Sequence, residues 1–414
     1  MVAALPQSTG RLEAAAGSSG DVASRYALLD AALKAPVLRR ELFPTPVILE
    51  SVELLRHRNA FLCRVRSPEG AEGMSAGHGS QNSRNWPVFR GLIERFRGKD
   101  ARDLDALIPD TEGKGGGVPF NVQLATLEAA ILDLLGNIAG QPIGLLLGEK
   151  IHHPRIGVYQ GSRVGELRRL PPEEALVLVK QDLLESKARA VKMRAGGGGK
   201  LDGDTMPGRT EKLIRMAREM FGDKMTLMCD GNGNYSRDGA IRIGRLLEEY
   251  NYYWWEEMVP FGWYDELKQV NAALKINIAS GESESHLSTF RWLLANDACD
   301  IVQPDQLYFG GMIRSMKVAR MAAAVGKTIS PHITQYGLGY LYMLHFVSAV
   351  PNACPWQEFD LFSTRDANGN SIPIESKTSP ITSDDGIIPV PTGAGLGIRI
   401  DPGYVKTFKV VTEW

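Results

Sequence analysis

The sequence has few cysteines and no excess of charge of either sign. Its four cysteines, in a chain of 414 residues, lie far apart and form neither a Cys-x-x-Cys metal pattern nor a dense disulfide framework. This usage is typical of a reducing compartment and predicts a cytoplasmic protein. Lys and Arg number 47 against 48 for Asp and Glu, a net charge of −1. The balance gives no indication of nucleic acid or an anionic membrane surface as a partner.

Signals for membrane insertion and secretion are also missing from the sequence. No apolar run reaches the ~18 residues that a membrane span requires. The first 30 residues lack a basic stretch followed by an apolar segment, so no secretory signal is predicted. Hydrophobic residues make up 43% and charged residues 23% of the chain, as is ordinary for a globular protein with a large core.

The chain divides into four stretches that differ in composition and in their predicted secondary structure. Residues 1–40 are rich in Ala, Gly and Ser and predict an arm with one short helical patch. Residues 41–150 combine a two-stranded hairpin with amphipathic helices and predict a smaller α+β domain. Residues 151–380 alternate strand and helix patterns and predict a catalytic barrel domain. Residues 381–414 return to Gly- and Pro-rich, strand-like sequence, which we expect to pack on the smaller domain.

Eight short apolar segments alternate with helical segments in the third stretch. Such alternation argues for a parallel sheet, and eight units in ~200 residues argue for a closed barrel. An open doubly wound sheet is the runner-up, but its usual Gly-rich fingerprint is poorly matched at the first turn. We predict an α/β fold: a (β/α)8 TIM barrel with an N-terminal α+β capping domain that the C-terminal tail completes.

Six polar residues close six consecutive strand segments of this barrel. Each lies 23 to 27 residues after the one before, which is the length of one strand–helix unit. Because a barrel gathers the C-terminal ends of its strands on one face, all six side chains should converge on one mouth. They are Asp230, Glu256, Glu282, Asp305, His332 and Glu358.

The first three of these residues are carboxylates, and such a set predicts a metal site. Carboxylate oxygens are hard ligands that suit Mg²⁺, and three anions packed without a cation would repel and raise each other's pKa. A single acidic residue at a strand end is more often a cap of the following helix. Three in consecutive units favour Mg²⁺ at Asp230, Glu256 and Glu282.

The run of strand-end carboxylates resembles the enolase superfamily, and His332 one unit after Asp305 resembles its mandelate racemase subgroup. The resemblance spans about residues 45 to 405 and includes the motifs DGN, EEMVP, SGE, QPD and SPH. It implies a homo-oligomer whose Mg²⁺ ligands are Asp230, Glu256 and Glu282. Glu256 matches the first acid of the family's acidic pair. Glu257 is expected to support the site or form an ion pair.

The resemblance also implies the chemistry, which is abstraction of the proton α to a carboxylate. His332 would be the base, and Asp305 would bind its other ring nitrogen. Glu358, kept protonated by burial, would donate a hydrogen bond to the substrate carboxylate. A lone His in an apolar strand is ordinarily a core residue, but a carboxylate one unit away favours catalysis.

The second barrel strand departs from the subgroup's pattern. The subgroup often has Lys-x-Lys there, with the second Lys as a further base, whereas this chain has Lys192-Met193-Arg194. Arg is not deprotonated under ordinary protein conditions, so a two-base racemase is disfavoured. Arg194 would instead bind a carboxylate or hydroxyl, and Lys192 would lie near the metal-bound carboxylate. The ordinary alternative for Lys192 and Arg194 is an ion pair with the nearby acids.

A single base favours β-elimination of water from an acid sugar, an aldonic or aldaric acid, to give a 2-keto-3-deoxy acid. Members of the family that dehydrate acid sugars work in this way. A racemase, epimerase or cycloisomerase would share the same residues. A binding or structural protein on an inactive barrel is disfavoured because the ligand triad, the His–Asp pair and the terminal Glu are all present.

Residues near the predicted mouth supply further candidates for contact with a small carboxylate substrate. The Gly-rich loop over 195–200 lacks the P-loop pattern and predicts a flexible active-site loop. A lid is expected from the loop over 75–85 or from the arm. Aromatic residues on barrel strands are as often core packing as substrate contacts. The candidates for substrate contact are Arg194, Asn232, Tyr159, Trp356 and His78.

Overall fold

The computed structural model describes residues 21–77, 81–108, 117–161, 167–334, 337–359, 374–375 and 383–414. The strands are β1 Ser51–His57, β2 Ala60–Arg66, β3 Glu72–Gly77, β4 Arg155–Gly161, β5 Ala190–Arg194, β6 Thr226–Asp230, β7 Trp254–Glu256, β8 Asn277–Ser280, β9 Ile301–Val302, β10 Thr328–Ile329, β11 Gln357–Phe359, β12 Ile374–Glu375, β13 Ile387–Pro389, β14 Arg399–Ile400 and β15 Lys409–Val410. The helices are α1 Val22–Ala32, α2 Trp86–Phe96, α3 Leu104–Leu107, α4 Val118–Ala139, α5 Ile143–Leu147, α6 Pro172–Ser186, α7 Arg209–Phe221, α8 Arg237–Glu249, α9 Tyr264–Ala273, α10 Leu287–Ala295, α11 Met312–Ala324, α12 Leu338–Ala349 and α13 Pro402–Lys406.

The smaller domain is built on an antiparallel sheet in the order β15-β1-β2-β3. The hairpin of β1 and β2 was predicted from its two apolar runs, and β15 adds the end of the tail to the sheet's edge. Strand β3 was not predicted, and it includes the first residues of the loop expected over 75–85. Its sequence is rich in small residues because it lies directly on α4: a Cβ at Gly73 would meet the Ala130 carbonyl oxygen at 2.2 Å.

Helix α4 forms the core of this domain. It is long and apolar enough to cross a membrane by length and composition, yet most of it is buried inside the protein, where it packs on β3. The helix begins with Pro119 in its first turn and ends at Gly140, which adopts a left-handed conformation with φ 64°. Its charged residues bind neighbouring backbone: Asp133 accepts hydrogen bonds from the Met74 and Leu396 amides, each at 2.8 Å.

The larger domain is a ring of eight parallel strands. The sheet runs β10-β9-β8-β7-β6-β5-β4-β11, and a parallel bridge between Ile329 and Ala353 joins β10 to the segment that leads into β11. The helices between the strands bury one face, as the amphipathic pattern of α7 and α8 predicts. The predicted (β/α)8 barrel with a capping domain is therefore confirmed.

Two chain ends attach to the barrel in ways that the sequence did not predict. The tail strand β13 pairs antiparallel with the first half of β4. Helix α1 packs against α10 and α11, where Arg25 Nε donates to the Ala295 carbonyl at 2.6 Å and Arg291 forms an ion pair with Asp30 at 2.6 Å. The domain boundaries near residues 40, 150 and 380 remain predictions.

Candidate active site

Three carboxylates meet at the C-terminal ends of neighbouring strands. Asp230 ends β6, Glu256 ends β7 and lies directly beside it in the sheet register, and Glu282 follows β8 by two residues. All three are buried, and one carboxylate oxygen from each lies within 4.8 Å of the others. Glu256 Oε2 and Glu282 Oε2 are buried without a hydrogen-bond partner in the described part of the chain. Unpartnered carboxylate oxygens in one cluster fit a hard divalent cation.

The pKa values of the triad also indicate a cation site. Burial raises the pKa of Glu256 to about 7, although Lys192 opposes the rise, and Asp230 and Glu282 add to it. Burial also raises the pKa of Glu282, against the opposing charge of His332. The protein's own cations therefore do not fully compensate the buried acids, as expected for groups that share a metal ion.

Lys192 lies fully buried between the triad and the last barrel strand. Its Nζ is 2.5 Å from Glu256 Oε1, 3.6 Å from Glu358 Oε1 and 3.8 Å from Asp230 Oδ2. Burial lowers the pKa of Lys192, but Glu256 and Glu358 outweigh it and raise that pKa well above its ordinary value. Lys192 is therefore a fixed positive charge beside the carboxylates.

His332 and Asp305 form a hydrogen-bonded pair across the next two units. His332 Nδ1 lies 3.0 Å from Asp305 Oδ2, while its Nε2 lies 3.4 Å from Glu282 Oε2 and 3.9 Å from Glu358 Oε2. Asp305 is held by the backbone amide of Leu307 at 2.8 Å and also accepts from the Tyr308 amide and the Thr334 hydroxyl. The Nε2 edge of the ring therefore faces the triad.

The protonation of His332 follows from these neighbours. Burial lowers the pKa of His332, but the charges of Glu282 and Glu358 and the hydrogen bond to Asp305 raise it to about 10. The neighbouring carboxylates therefore favour the protonated form of the ring.

The expectation that burial keeps Glu358 protonated is wrong. Burial does favour the neutral acid, but Lys192, His332 and Arg194 outweigh it and lower the pKa of Glu358 below its ordinary value. Glu358 also accepts a hydrogen bond from the Ile333 amide at 3.0 Å. These three cations favour the carboxylate form of Glu358. The sequence did not show that all three surround it.

Glu257 supports the site through the backbone. Its carboxylate accepts hydrogen bonds from the amides of Gly281 at 2.6 Å and Glu282 at 3.1 Å, and from the Ser280 hydroxyl at 3.0 Å. Its φ of 39° is uncommon for a residue with a side chain. Glu257 thus fixes the backbone that carries Glu282.

The predicted substrate contacts do not all lie at the mouth. Tyr159 and Trp356 are buried in an apolar cluster with Trp254, and Lys192 Nζ lies over the Tyr159 ring at 5.3 Å from its centroid. Both side chains pack in this buried cluster, and their contact with substrate stays a prediction. His78 lies outside the described residues.

Asn232 and Arg194 do lie at the mouth. Asn232 Nδ2 is 3.3 Å from Asp230 Oδ2, and Arg194 forms an ion pair with Asp230 and donates to Asn232 Oδ1 at 2.5 Å. Sequence reasoning missed Arg168, whose Nη2 donates to the same oxygen at 2.9 Å. Its location in the first strand-to-helix connection was the available signal, because those connections line the mouth of a barrel.

The Gly-rich loop forms hydrogen bonds with neighbouring segments, and its predicted flexibility stays a prediction. Gly197 donates to Asn234 Oδ1 at 3.1 Å, and Asn234 Nδ2 donates to the Gly203 carbonyl at 2.9 Å. Asp204 accepts from the Thr210 amide in the first turn of α7 at 2.9 Å. That carboxylate occupies the helix terminus where a phosphate would otherwise bind.

The fold and the strand-end carboxylates together define a barrel protein with an acidic site at its mouth. The family described as Enolase C-terminal domain-like matches residues 175–404. The chain belongs to the enolase superfamily.

Related proteins with known activities include dehydratases and an isomerase. The chain is 28% identical to L-talarate/galactarate dehydratase of Salmonella typhimurium over 310 residues, which cover 72% of each chain. It is 27% identical to arabinonate dehydratase of Saccharolobus solfataricus, covering 69% of this chain and 72% of that one. It is 26% identical to D-galactarolactone cycloisomerase of Agrobacterium fabrum, covering 69% and 74%. These relatives support an enzyme.

A solved structure shares the whole architecture. The mandelate racemase/muconate lactonizing protein of Paracoccus denitrificans, complexed with magnesium, superposes with a TM-score of 0.77. It is 25% identical, and the match covers 88% of this chain and 99% of that one. Members of the superfamily bind Mg²⁺.

Proposed function

We propose that the protein catalyses the Mg²⁺-dependent dehydration of an acid sugar, an aldonic or aldaric acid, to a 2-keto-3-deoxy acid. The observation that carries this proposal is the single base at the mouth. His332 is backed by Asp305 at 3.0 Å, whereas the position that could hold a second base is Arg194, which stays charged. We also propose a cytoplasmic homo-oligomer.

Asp230, Glu256 and Glu282 would hold the Mg²⁺ ion, because all three are buried and close together. Glu256 and Glu282 also each keep a buried oxygen without a hydrogen-bond partner in the described part of the chain. Bound there, Mg²⁺ supplies positive charge that offsets the negative charge developing on the substrate carboxylate. Lys192 supplies a second fixed positive charge on the same side, 2.5 Å from Glu256.

His332 carries out the proton transfers in this proposal. Neutral Nε2 removes the proton from the α-carbon, and the C–H electron pair moves toward the carboxylate. The pair then returns to form a carbon–carbon double bond as the β-hydroxyl leaves with the proton from Nε2, which releases water. The enol that results tautomerises to the 2-keto-3-deoxy acid.

Asp305 has a positioning role in these steps. It fixes the Nδ1 proton of His332, so that Nε2 is the nitrogen that exchanges protons. Among the charges that raise the pKa of His332, Glu282 is the strongest. A cation held by the triad would offset the charge of Glu282 and would favour the neutral, basic form of His332.

A racemase, epimerase or cycloisomerase is the second candidate. The similarity to D-galactarolactone cycloisomerase favours it, and the same base and carboxylates would serve. These reactions differ from dehydration in retaining the oxygen atoms of the substrate.

A substrate screen tests the proposal. Purified protein with Mg²⁺ is incubated with four- to six-carbon aldonic and aldaric acids, and 2-keto acids are trapped with semicarbazide. We expect product with at least one acid, and none after EDTA treatment until Mg²⁺ is restored. Exchange of the α-proton in D₂O without keto acid would instead establish the isomerase alternative.

A further inference from the structure

Two guanidinium groups converge on one amide oxygen at the rim of the candidate active site. Arg168 Nη2 donates to Asn232 Oδ1 at 2.9 Å, and Arg194 Nη1 donates to the same oxygen at 2.5 Å. The Asn232 amide nitrogen lies 3.3 Å from Asp230 Oδ2 and 3.5 Å from Glu282 Oε1. Arg168 is therefore connected to the carboxylates assigned to Mg²⁺ through the Asn232 side chain, and Arg194 also contacts Asp230 directly.

Arg168 has no carboxylate in ion-pair contact among the residues that the structure describes. Arg194 has Asp230 as a counterion, but no carboxylate of the described residues lies within 4.0 Å of the Arg168 guanidinium. Burial lowers the pKa of Arg168, and the neighbouring charge of Arg194 lowers it further, while the more distant Asp230 only partly opposes them. A half-buried guanidinium beside a second guanidinium is unfavourable unless an anion joins them.

The hydrogen-bonding capacity of the two arginines is also unfilled. The Nε atoms of Arg168 and Arg194 are both buried and have no hydrogen-bond partner within the described ranges. Buried donors without an acceptor are costly, and a planar guanidinium is matched by a carboxylate with two parallel acceptors. Positive charge, unfilled donors and proximity to the triad together indicate a site for an anionic group of the substrate.

We propose that Arg168, assisted by Arg194, binds a second carboxylate of the substrate, so that the substrate is an aldaric acid. This inference rests on the proposed function and narrows it. One carboxylate of the diacid lies at the metal triad, and the other compensates Arg168. An aldonic acid ends in a neutral hydroxymethyl group, which leaves Arg168 without a counterion.

Binding measurements test the inference without turnover. Calorimetry with Mg²⁺ and the His332→Asn protein compares two configuration-matched pairs, galactarate with galactonate and glucarate with gluconate. We expect at least one diacid to bind tenfold or more tightly than its monoacid partner. Arg168→Gln should remove this preference, and Arg168→Lys should restore part of it. Arg169→Gln is the matched control, because Arg169 is the next residue and is exposed.

Initial rates on the otherwise unaltered protein give a second measurement. Arg168→Gln should raise KM for the diacid about tenfold and should lower kcat/KM for the monoacid by a much smaller factor. An equal loss for both acids would show that Arg168 only orients Asn232, and it would overturn the inference. Absence of any diacid preference, or of binding by either acid, would overturn it as well. Preferential diacid binding with no dehydration would contradict the proposed function alone.

Discussion

The two ends of the barrel handle buried charge differently. At the N-terminal end of the strands, Lys327 Nζ lies 2.9 Å from Asp300 Oδ1 and 2.5 Å from Asp297 Oδ1. The other Asp300 oxygen accepts from the Ile278 amide at 3.1 Å. Burial lowers the pKa of Lys327, but its two acidic partners outweigh it and raise that pKa. Each charge there has partners within the protein.

At the mouth, the pairing of buried charges is incomplete. Among the described residues, Glu256 and Glu282 each keep a buried oxygen without a hydrogen bond, although Glu282 Oε2 lies 3.4 Å from His332 Nε2. Arg168 has no carboxylate partner there. The comparison teaches that completeness of pairing, rather than burial, separates a structural charge cluster from a ligand site. This difference between the two ends is expected of a TIM barrel, because the active site lies at the C-terminal ends of its strands.

Removing the base should have the largest effect. His332→Asn should lower kcat by about 10²- to 10⁴-fold, because the side chain no longer accepts the α-proton. Mg²⁺ affinity and the melting temperature should be close to those of the wild type. The comparison uses steady-state rates and calorimetry, with His57→Asn in the capping domain as control. Full activity of the His332 variant would exclude it as the base.

Removing a buried cation at the N-terminal end of the barrel strands should lower stability rather than activity. Lys327→Met leaves buried Asp300 without its cation and should cost about 3–5 kcal/mol in the free energy of unfolding. The kcat/KM of the folded fraction should not change. Urea unfolding and rate measurements on the same preparation check both statements, with exposed Lys224→Met as control. A loss of kcat/KM at unchanged stability would contradict the assignment of the N-terminal end to stability and of the mouth to function.

Neutralising one acid at the mouth should separate metal binding from stability. Glu282→Gln should weaken Mg²⁺ binding by on the order of 100-fold. The metal-free variant should be at least as stable as the wild type, because repulsion among the carboxylates falls. Calorimetry with Mg²⁺ and thermal unfolding in EDTA are the measurements. Unchanged Mg²⁺ affinity would remove Glu282 from the proposed ligand set.

A buried acid outside the mouth sharpens the comparison. Glu128 in α4 accepts from the Ile313 amide at 3.0 Å, and burial raises its pKa to about 8 despite hydrogen bonds from the amides of α11. The folded state then binds a proton that the unfolded state releases above its ordinary pKa of 4.5. The contribution of Glu128 to stability is therefore complete below pH 4.5 and is lost as the pH rises through 8.

Glu128→Gln should remove this pH dependence. Between about pH 5 and 8, the wild type should lose up to about 1.4 kcal/mol of unfolding free energy per pH unit relative to the variant. Urea unfolding at several pH values measures the difference, and the rate of dehydration serves as control. A constant difference across this range would show that Glu128 is ionised in the folded protein.

The sequence was sufficient to predict the strand ends, because the unit length of a barrel is regular. Spacing alone placed Asp230, Glu256 and Glu282 on neighbouring strands, and the structure brings their oxygens within 4.8 Å. The pairing of His332 with Asp305 was implied by the resemblance to the mandelate racemase subgroup, and the structure places His332 Nδ1 3.0 Å from Asp305 Oδ2. Asp230 and Glu256 end their strands, whereas Glu282, Asp305 and His332 lie two or three residues beyond theirs. The closed ring still brings them to one face.

Features that depend on three-dimensional neighbours were not predictable. Strand β3 lacks the β-branched residues typical of strands, because close contact with α4 selects small ones. Strand β13 pairs with β4 across more than 200 residues of sequence. The ionisation of Glu358 depends on Lys192, His332 and Arg194 together. The role proposed for Arg168 depends on the absence of a carboxylate partner among the described residues around it.

The most direct test of the account follows the α-proton in D₂O. The acid sugar found in the screen is incubated with Mg²⁺ and either wild-type or His332→Asn protein, and proton NMR with mass spectrometry records the products. We predict loss of water and formation of a 2-keto-3-deoxy acid with the wild type, and neither product nor α-exchange with the variant. Product formation by the variant at the wild-type rate, or exchange by the wild type with all oxygens retained, would contradict the account.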